Sequence, residues 1–245
     1  MAGKFDTLWW GRNKCPKQVR VRRRDHGMKG GHIMTKDIEV FTQSSIKITE
    51  GDRRIYFDPF QMRREPKNAD FILLTHDHHD HFSPKDIEKV ASESTILIVP
   101  EAMEEEAKAV SHLVKEIHTV KPGEEYFIND LHFETVAAYN IGRDFHPKEA
   151  GWVGYVLMIG GQRIYVAGDT DETAEALDVI CDVALVPVGG TYTMDAREAA
   201  RLINNIRPKV AIPTHYGSFV GSKKAGETFR DYVDMSIKVE LKILY

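Results

Sequence analysis

The chain has 245 residues, 29% charged and 42% hydrophobic, with a mean hydropathy of -0.36 and a formal net charge of -4. That composition suits about one large soluble domain. No run approaches the roughly 20 apolar residues that a membrane-crossing helix needs. The two cysteines, Cys15 and Cys181, are too few for a disulfide framework, so a reducing, cytoplasmic compartment is expected.

The total charge hides an asymmetry. Residues 1–33 carry nine Lys/Arg against two Asp, a net of +7, and the remainder carries 24 basic and 35 acidic residues, a net of -11. The first 33 residues lack hydrophobic periodicity and are read as a basic, unstructured leader, with a nucleic-acid-binding arm as the alternative reading of Arg20 to Arg24. Residues 34–245 are read as the folded domain.

Residues 38–48 and 53–57 alternate or run apolar around Gly51-Asp52, which predicts a hairpin. Phe71 to Thr75 reads as a short buried strand. Ser83 before Pro84 marks a helix start, with the helix running to about 91. A strand over 95–99 and an Ala/Glu/Lys-rich helix over 101–114 follow, then strands over 116–120, 125–128 and 131–139. Residues 152–159 and 163–167 form a second hairpin around Gly160-Gly161. A helix near 172–180, a strand over 183–188, a helix opened by an Asp195/Glu198 capping box, a strand over 210–213, a helix over 222–235 and a strand near 238–243 complete the chain. This order suggests two sheets packed together with helices outside; periodicity alone leaves a three-layer sandwich equally open.

Four of the eleven histidines fall within His76-Asp77-His78-His79-Asp80-His81, directly after a buried strand. Side chains of a turn at a strand's carboxyl end can converge on a point within reach of solvent. Imidazole nitrogen and carboxylate oxygen both suit zinc and other divalent first-row metals.

This segment resembles the His-x-His-x-Asp-His signature of the metallo-β-lactamase fold superfamily, through His76, His78, Asp80 and His81. Later positions are similar in the right order: His146 before Pro147, Asp169 in Gly168-Asp169-Thr170, and His215 in Pro213-Thr214-His215. Asp58-Pro59, the His146-Pro147 loop and Pro187-Val188-Gly189-Gly190 look most like the small single-domain group of metal-dependent hydrolases related to the ascorbate-6-phosphate lactonases. The resemblance covers about residues 38–245. It implies an αββα four-layer sandwich of two mixed β-sheets with flanking helices.

A two-metal site wants about three protein ligands per ion plus a shared carboxylate. Seven candidates meet that count, with His76, His78 and His146 for one divalent ion, Asp80, His81 and His215 for the other, and Asp169 as the bridge. Zinc is the default metal, and manganese, nickel or iron tolerate the same donors. Asp77 is a candidate supporting residue, and His79 is expected to be exposed. Asp58 either accepts an imidazole N–H or simply ends a strand. His112, His118 and His132 are read as structural.

The implied reaction is hydrolysis by a metal-bound hydroxide, with Asp80 and Asp169 orienting the water and relaying its proton. No Gly-x-Ser-x-Gly occurs, and Cys181 has no histidine motif nearby, so covalent catalysis is disfavoured. The expected substrate is a lactone, ester or amide of a small anionic metabolite, with Asn140, Arg143, Lys148 and Tyr192 either binding its anionic group or merely solvated. The alternatives are a phosphodiesterase or nuclease of the same fold, or a metal-binding protein without turnover. The acidic body disfavours nucleic acid as a partner, and nothing in the sequence fixes the oligomeric state.

Overall fold

Strands β1 (Ile38–Val40), β2 (Ile46–Glu50), β3 (Arg53–Phe57), β4 (Phe71–Leu73), β5 (Ile96–Pro100) and β6 (Glu116–Val120) lie side by side in that order in one sheet of a computed structural model that describes residues 35–243. The leader read at residues 1–33 lies outside the described residues. β1, β2 and β3 pair antiparallel; β3 through β6 pair parallel. The second sheet runs β13 (Lys238–Val239), β12 (Val210–Thr214), β11 (Val183–Pro187), β10 (Gln162–Val166), β9 (Val153–Ile159), β8 (Leu131–Ala137), β7 (Glu125–Ile128). Its β7 to β10 are antiparallel and its β10 to β13 parallel.

Alternation along the strands sorts side chains into layers. Ile55, Phe57, Phe71 and Leu73 of the first sheet and Ile164, Val166, Val183 and Leu185 of the second face each other in one core. Tyr56 and Ile72 point outward onto α1 (Pro84–Val90) and the segment around α2 (Glu104–Ala107). Tyr165, Ala184 and Val186 point outward onto α3 (Ala174–Leu177), α4 (Ala196–Ile206) and α5 (Ala225–Tyr232). The result is the four-layer αββα sandwich, and the three-layer option is excluded. Among the described residues no helix is long and apolar enough to cross a membrane.

Local differences from the sequence reading have physical causes. The strand expected over 38–48 is broken by a tight turn at 42–45, closed by Phe41 N–H donating to Ser45 O at 2.8 Å, with Gln43 at φ +57°. The helix expected over 101–114 is three short pieces, two of them 3-10 turns. Ser111 Oγ donates to the Lys108 carbonyl at 2.9 Å, competing with the α-helical ladder. The Asp195/Glu198 capping box is present, its carboxylate accepting from Glu198 N at 2.8 Å. β13 is shorter than expected, and Ile243 instead bridges to Val40 of the other sheet.

Two contacts tie the sheets together at one end. Tyr155 Oη donates to Leu74 O at 2.6 Å, and Val153 N–H donates to Thr75 O at 3.2 Å. The carboxyl ends of β4, β10 and β12 therefore open near one another. Two glycines permit this closeness: a Cβ on Gly154 would meet Ala167 O at 2.5 Å, and Gly168 sits at φ +65° with its Cβ position 3.0 Å from Thr75 Cβ.

Candidate metal centre

The turn after β4 carries His76, His78, Asp80 and His81; His81 N–H and Phe82 N–H both donate to the His78 carbonyl at 2.8 Å, which curls the segment so that its alternate side chains turn inward. The loop before β9 brings His146, the turn after β10 brings Asp169, and the end of β12 brings His215. Ligand-type atoms of His76, His78 and His146 all lie within 4.8 Å of one another, as do those of His76, His81 and Asp169, and those of Asp80, His81 and His215. All seven sequence-predicted residues thus come together in these three overlapping groups, two trios linked by the one that holds Asp169. Its carboxylate is 3.4 Å from His81 Nε2, 3.5 Å from His146 Nε2 and 3.3 Å from His215 Nε2.

The outer nitrogens of three histidines are fixed by acceptors, which sets the tautomer. His81 Nδ1–H donates to Asp58 Oδ2 at 2.7 Å. Thr75 Oγ1 donates to the same oxygen at 2.7 Å and accepts from His76 Nδ1–H at 2.9 Å, while Thr75 N–H donates to Asp58 Oδ1 at 2.8 Å. His146 Nδ1–H donates to Asn140 Oδ1 at 2.9 Å. Each leaves an Nε2 lone pair facing the cluster. Asp58 therefore has the buttressing role, not that of a plain strand end, and it holds the uncommon φ of +42° to do so. Asp77 is exposed and does not share that role; the His79 side chain, 86% exposed, turns outward as expected.

His76 Nε2, His81 Nε2, His146 Nε2 and Asp169 Oδ1 are buried without a hydrogen-bond partner. Buried polar atoms without partners are costly, and a cation placed among them would satisfy all four. Neutral imidazoles and carboxylates are the right donors for a divalent first-row ion. The residues present fit such a group.

The electrostatics agree. Burial opposes charge on His76 and holds its imidazole well below the usual histidine range, with the positive potential of His81 adding to the effect. Burial, with His146 and His81 nearby, lowers His78 as well. His81 behaves oppositely: burial is outweighed by the Asp169 and Asp58 carboxylates, which raise it well above the usual range, so without metal it carries on Nε2 the proton that a cation would displace to use that lone pair. Burial of Asp169 is outweighed by His215 and His81, which hold its carboxyl well below the carboxylate range. The centre is built around carboxylates that stay ionised and demand a positive partner.

Three of the four residues read as either substrate-binding or merely solvated are engaged within the protein. Arg143 pairs with Asp171 and, at 3.0 Å, with Glu198. Lys148 pairs with Glu175 at 2.6 Å. Asn140 is occupied by His146 and by Asp171, to which its Nδ2 donates at 3.2 Å. Of the two readings of Arg143 and Lys148, anion binding or a solvated charge, neither describes this structure, in which both cations are paired with carboxylates of the protein. Exposed Tyr192 packs edge-on against Phe145 at 4.7 Å between ring centroids. Trp152, 5.0 Å from the rings of His76 and His78, walls the first trio.

Residues 37–215 match the β-lactamase superfamily domain. The chain belongs to the metallo-β-lactamase superfamily. It is 31% identical over 212 residues to a UPF0173 metal-dependent hydrolase of Thermococcus kodakarensis, covering 80% of this chain and 91% of the relative. A crystal structure of a Parabacteroides distasonis protein assigned to the metal-dependent hydrolases superposes with a TM-score of 0.71 at 30% identity, covering 87% of this chain and 98% of that one. Igni18, a metallo hydrolase of Ignicoccus hospitalis, shares the fold at a TM-score of 0.67 and 19% identity, over 83% of this chain and 93% of its own. Within the superfamily this chain is a metal-dependent hydrolase, and its His/Asp groups are suited to divalent metal.

Proposed function

We propose that the protein hydrolyses a lactone, or another carboxylic ester or amide bond, of a small organic molecule at a dinuclear centre. The observation that supports this reading most directly is the pair of trios joined through Asp169, with unpartnered Nε2 and carboxylate atoms facing inward. His76, His78 and His146 would hold one ion, Asp80, His81 and His215 the other, and Asp169 would serve both; zinc is the default, as before. When bound, divalent ions at such a centre lower the pKa of water toward neutrality and polarise a substrate's carbonyl or phosphoryl oxygen.

The remaining roles fall to side chains. Asp80 stays ionised at neutral pH, because the hydrogen bond from His215 and the charges of His81 and His215 outweigh the effect of burial. An ionised carboxylate at the rim can orient a water and accept its proton. Asp58, Thr75 and Asn140 keep the imidazoles oriented, so little reorganisation accompanies the reaction. Around the ligand loops stand Phe145 against Tyr192 and Phe60 against Phe219, the latter pair 5.8 Å apart. With Arg143 and Lys148 already paired, these rings favour a substrate with an apolar body over one gripped by its charge, and the phosphodiester reading has less support.

The test is metal analysis of protein purified without chelator, followed by a panel of lactones, carboxylic esters, amides and phosphodiesters. About two divalent ions per chain and turnover of the acyl substrates, lost on chelation and restored by metal, are expected. Preference for phosphodiesters would overturn the substrate class, and chelator-resistant turnover would overturn the mechanism.

A further inference from the structure

Where the turn after β1 meets the end of β12, Gln43 is fully buried, 0% exposed, in the left-handed region at φ +57°. That conformation is uncommon for a residue other than glycine. Its amide nitrogen lies 3.5 Å from Asp80 Oδ2 and 3.5 Å from His215 Nε2, and those two atoms are 3.3 Å apart, so the three form a nearly equilateral triangle. Its amide oxygen is buried with no hydrogen-bond partner. Its main-chain carbonyl accepts from His215 N–H at 3.0 Å.

We propose that Gln43 is a positioning residue of the metal centre: its side-chain amide holds Asp80 and its main chain holds His215, so that it sets the affinity of the Asp80, His81 and His215 trio for its cation. The proposal rests on the reading of that trio as ligands. Lone-pair counting gives the direction. An imidazole nitrogen has at most one lone pair, and a bound cation would take that of His215 Nε2; a carboxylate oxygen has two, so Asp80 Oδ2 can serve the cation and the amide together. Cation binding therefore leaves Asp80 as the amide's acceptor.

His215 makes such help necessary. His76, His81 and His146 each have an acceptor for Nδ1, whereas His215 Nδ1 is buried without one. What orients His215 instead is its own left-handed backbone, at φ +56°, and the Gln43 carbonyl. An uncharged amide also suits the place better than a lysine or arginine, whose charge would repel the cation. A half-satisfied buried amide is an unfavourable way to fill space in the metal-free protein, and its place beside two ligands is explained by its work on them.

The experiment is a titration of metal-free wild type and Gln43→Leu with Zn2+ and with Mn2+ by calorimetry, beside thermal melts of both metal-free proteins. Leucine keeps most of the volume and leaves no unpaired oxygen. One binding step is expected to weaken about 10- to 100-fold, the other to stay unchanged, and the metal-free melting temperature to hold or rise. Unchanged affinity in both steps, or a lower metal-free melting temperature with unchanged affinity, would overturn the proposal and leave Gln43 a packing residue. If Gln43→Leu does not fold, Gln43→Asn, which withdraws the amide by one methylene, should weaken the same single step. Failure of the wild type to bind either metal would instead overturn the reading of the centre itself.

Discussion

Asp58 and His81 meet at 2.7 Å with both side chains withdrawn from solvent, 1% and 0% exposed, and that contact joins the end of β3 to the last residue of the histidine turn. Asp58 accepts from His81 Nδ1, Thr75 Oγ1 and Thr75 N, so both its oxygens are engaged as acceptors. In Asp58→Asn either orientation of the amide points an NH2 group at another donor. Metal affinity should fall about 10- to 100-fold and the fold should lose about 1 to 3 kcal/mol. Metal titration and denaturant unfolding of the variant check both; unchanged affinity would show that His81 needs no such partner.

The same geometry marks where the sequence was legible. His76, His78, Asp80 and His81 are close in sequence, so a turn alone brings them together. His146, Asp169 and His215 are distant, and only the ordered resemblance gathered them. Gln43 was hidden because the polar run Thr42-Gln43-Ser44-Ser45 was absorbed into a single strand over 38–48, and the turn it forms shows only in the backbone. Arg143 and Lys148 looked free because their partners Asp171, Glu198 and Glu175 lie 28, 55 and 27 residues away. The matching layout of the two sheets, antiparallel strands first and parallel strands after, was also invisible, because hydrophobic patterning records burial and not pairing partners.

Asp169 approaches three imidazoles, whereas the His79 ring points to solvent. Asp169→Ala should lower kcat/KM by more than about 100-fold, since it removes a putting-together of both trios that exceeds any supporting contact, and His79→Ala should change it less than about threefold. Similar losses in the two variants would mean that the inward and outward positions of the turn are assigned the wrong way round.

Metal should stabilise the fold, because the ligands converge only when the two sheets are packed. At a free concentration 100 times Kd, a bound ion adds about 2.7 kcal/mol per site. Thermal melts of metal-free protein with and without Zn2+ or Mn2+ should show a clear rise, reversed by chelator. No rise with either ion would remove the centre as a metal site.

Asp86 gives a pH dependence away from the centre. Its carboxylate accepts from Gln61 N, Met62 N, Ser83 Oγ and Lys89 Nζ at 2.8 to 3.0 Å, pinning the loop after β3 to α1. Burial raises its pKa, but the Lys89 and Ser83 contacts and the two backbone N–H groups outweigh it, so the folded value lies below the ordinary 3.8. A depressed carboxylate contributes stability above its unfolded pKa and loses it as the pH falls through the folded one. Wild type should exceed Asp86→Asn by about 1 to 3 kcal/mol at neutral pH, with the gap closing below about pH 4. Unfolding titrations at several pH values test this, and a gap that widened in acid would contradict it.

Cys181 decides against a thiol nucleophile. Burial, with Asp182 nearby, pushes its thiol up to about 12, so thiolate is scarce at neutral pH. The thiolate is the reactive form, and Cys181 is absent from the groups of ligand atoms around Asp169. Iodoacetamide at pH 7.5 should leave Cys181 largely unmodified in the folded protein, as read by peptide mass mapping, which separates it from Cys15. Cys181→Ala should retain turnover within about twofold, because a small, half-buried, uncharged side chain is replaced by another. Chelation, by contrast, should abolish turnover in wild type and variant alike. Rapid alkylation of Cys181 that removes activity while metal remains bound would transfer the chemistry from the histidine and aspartate cluster to the thiol.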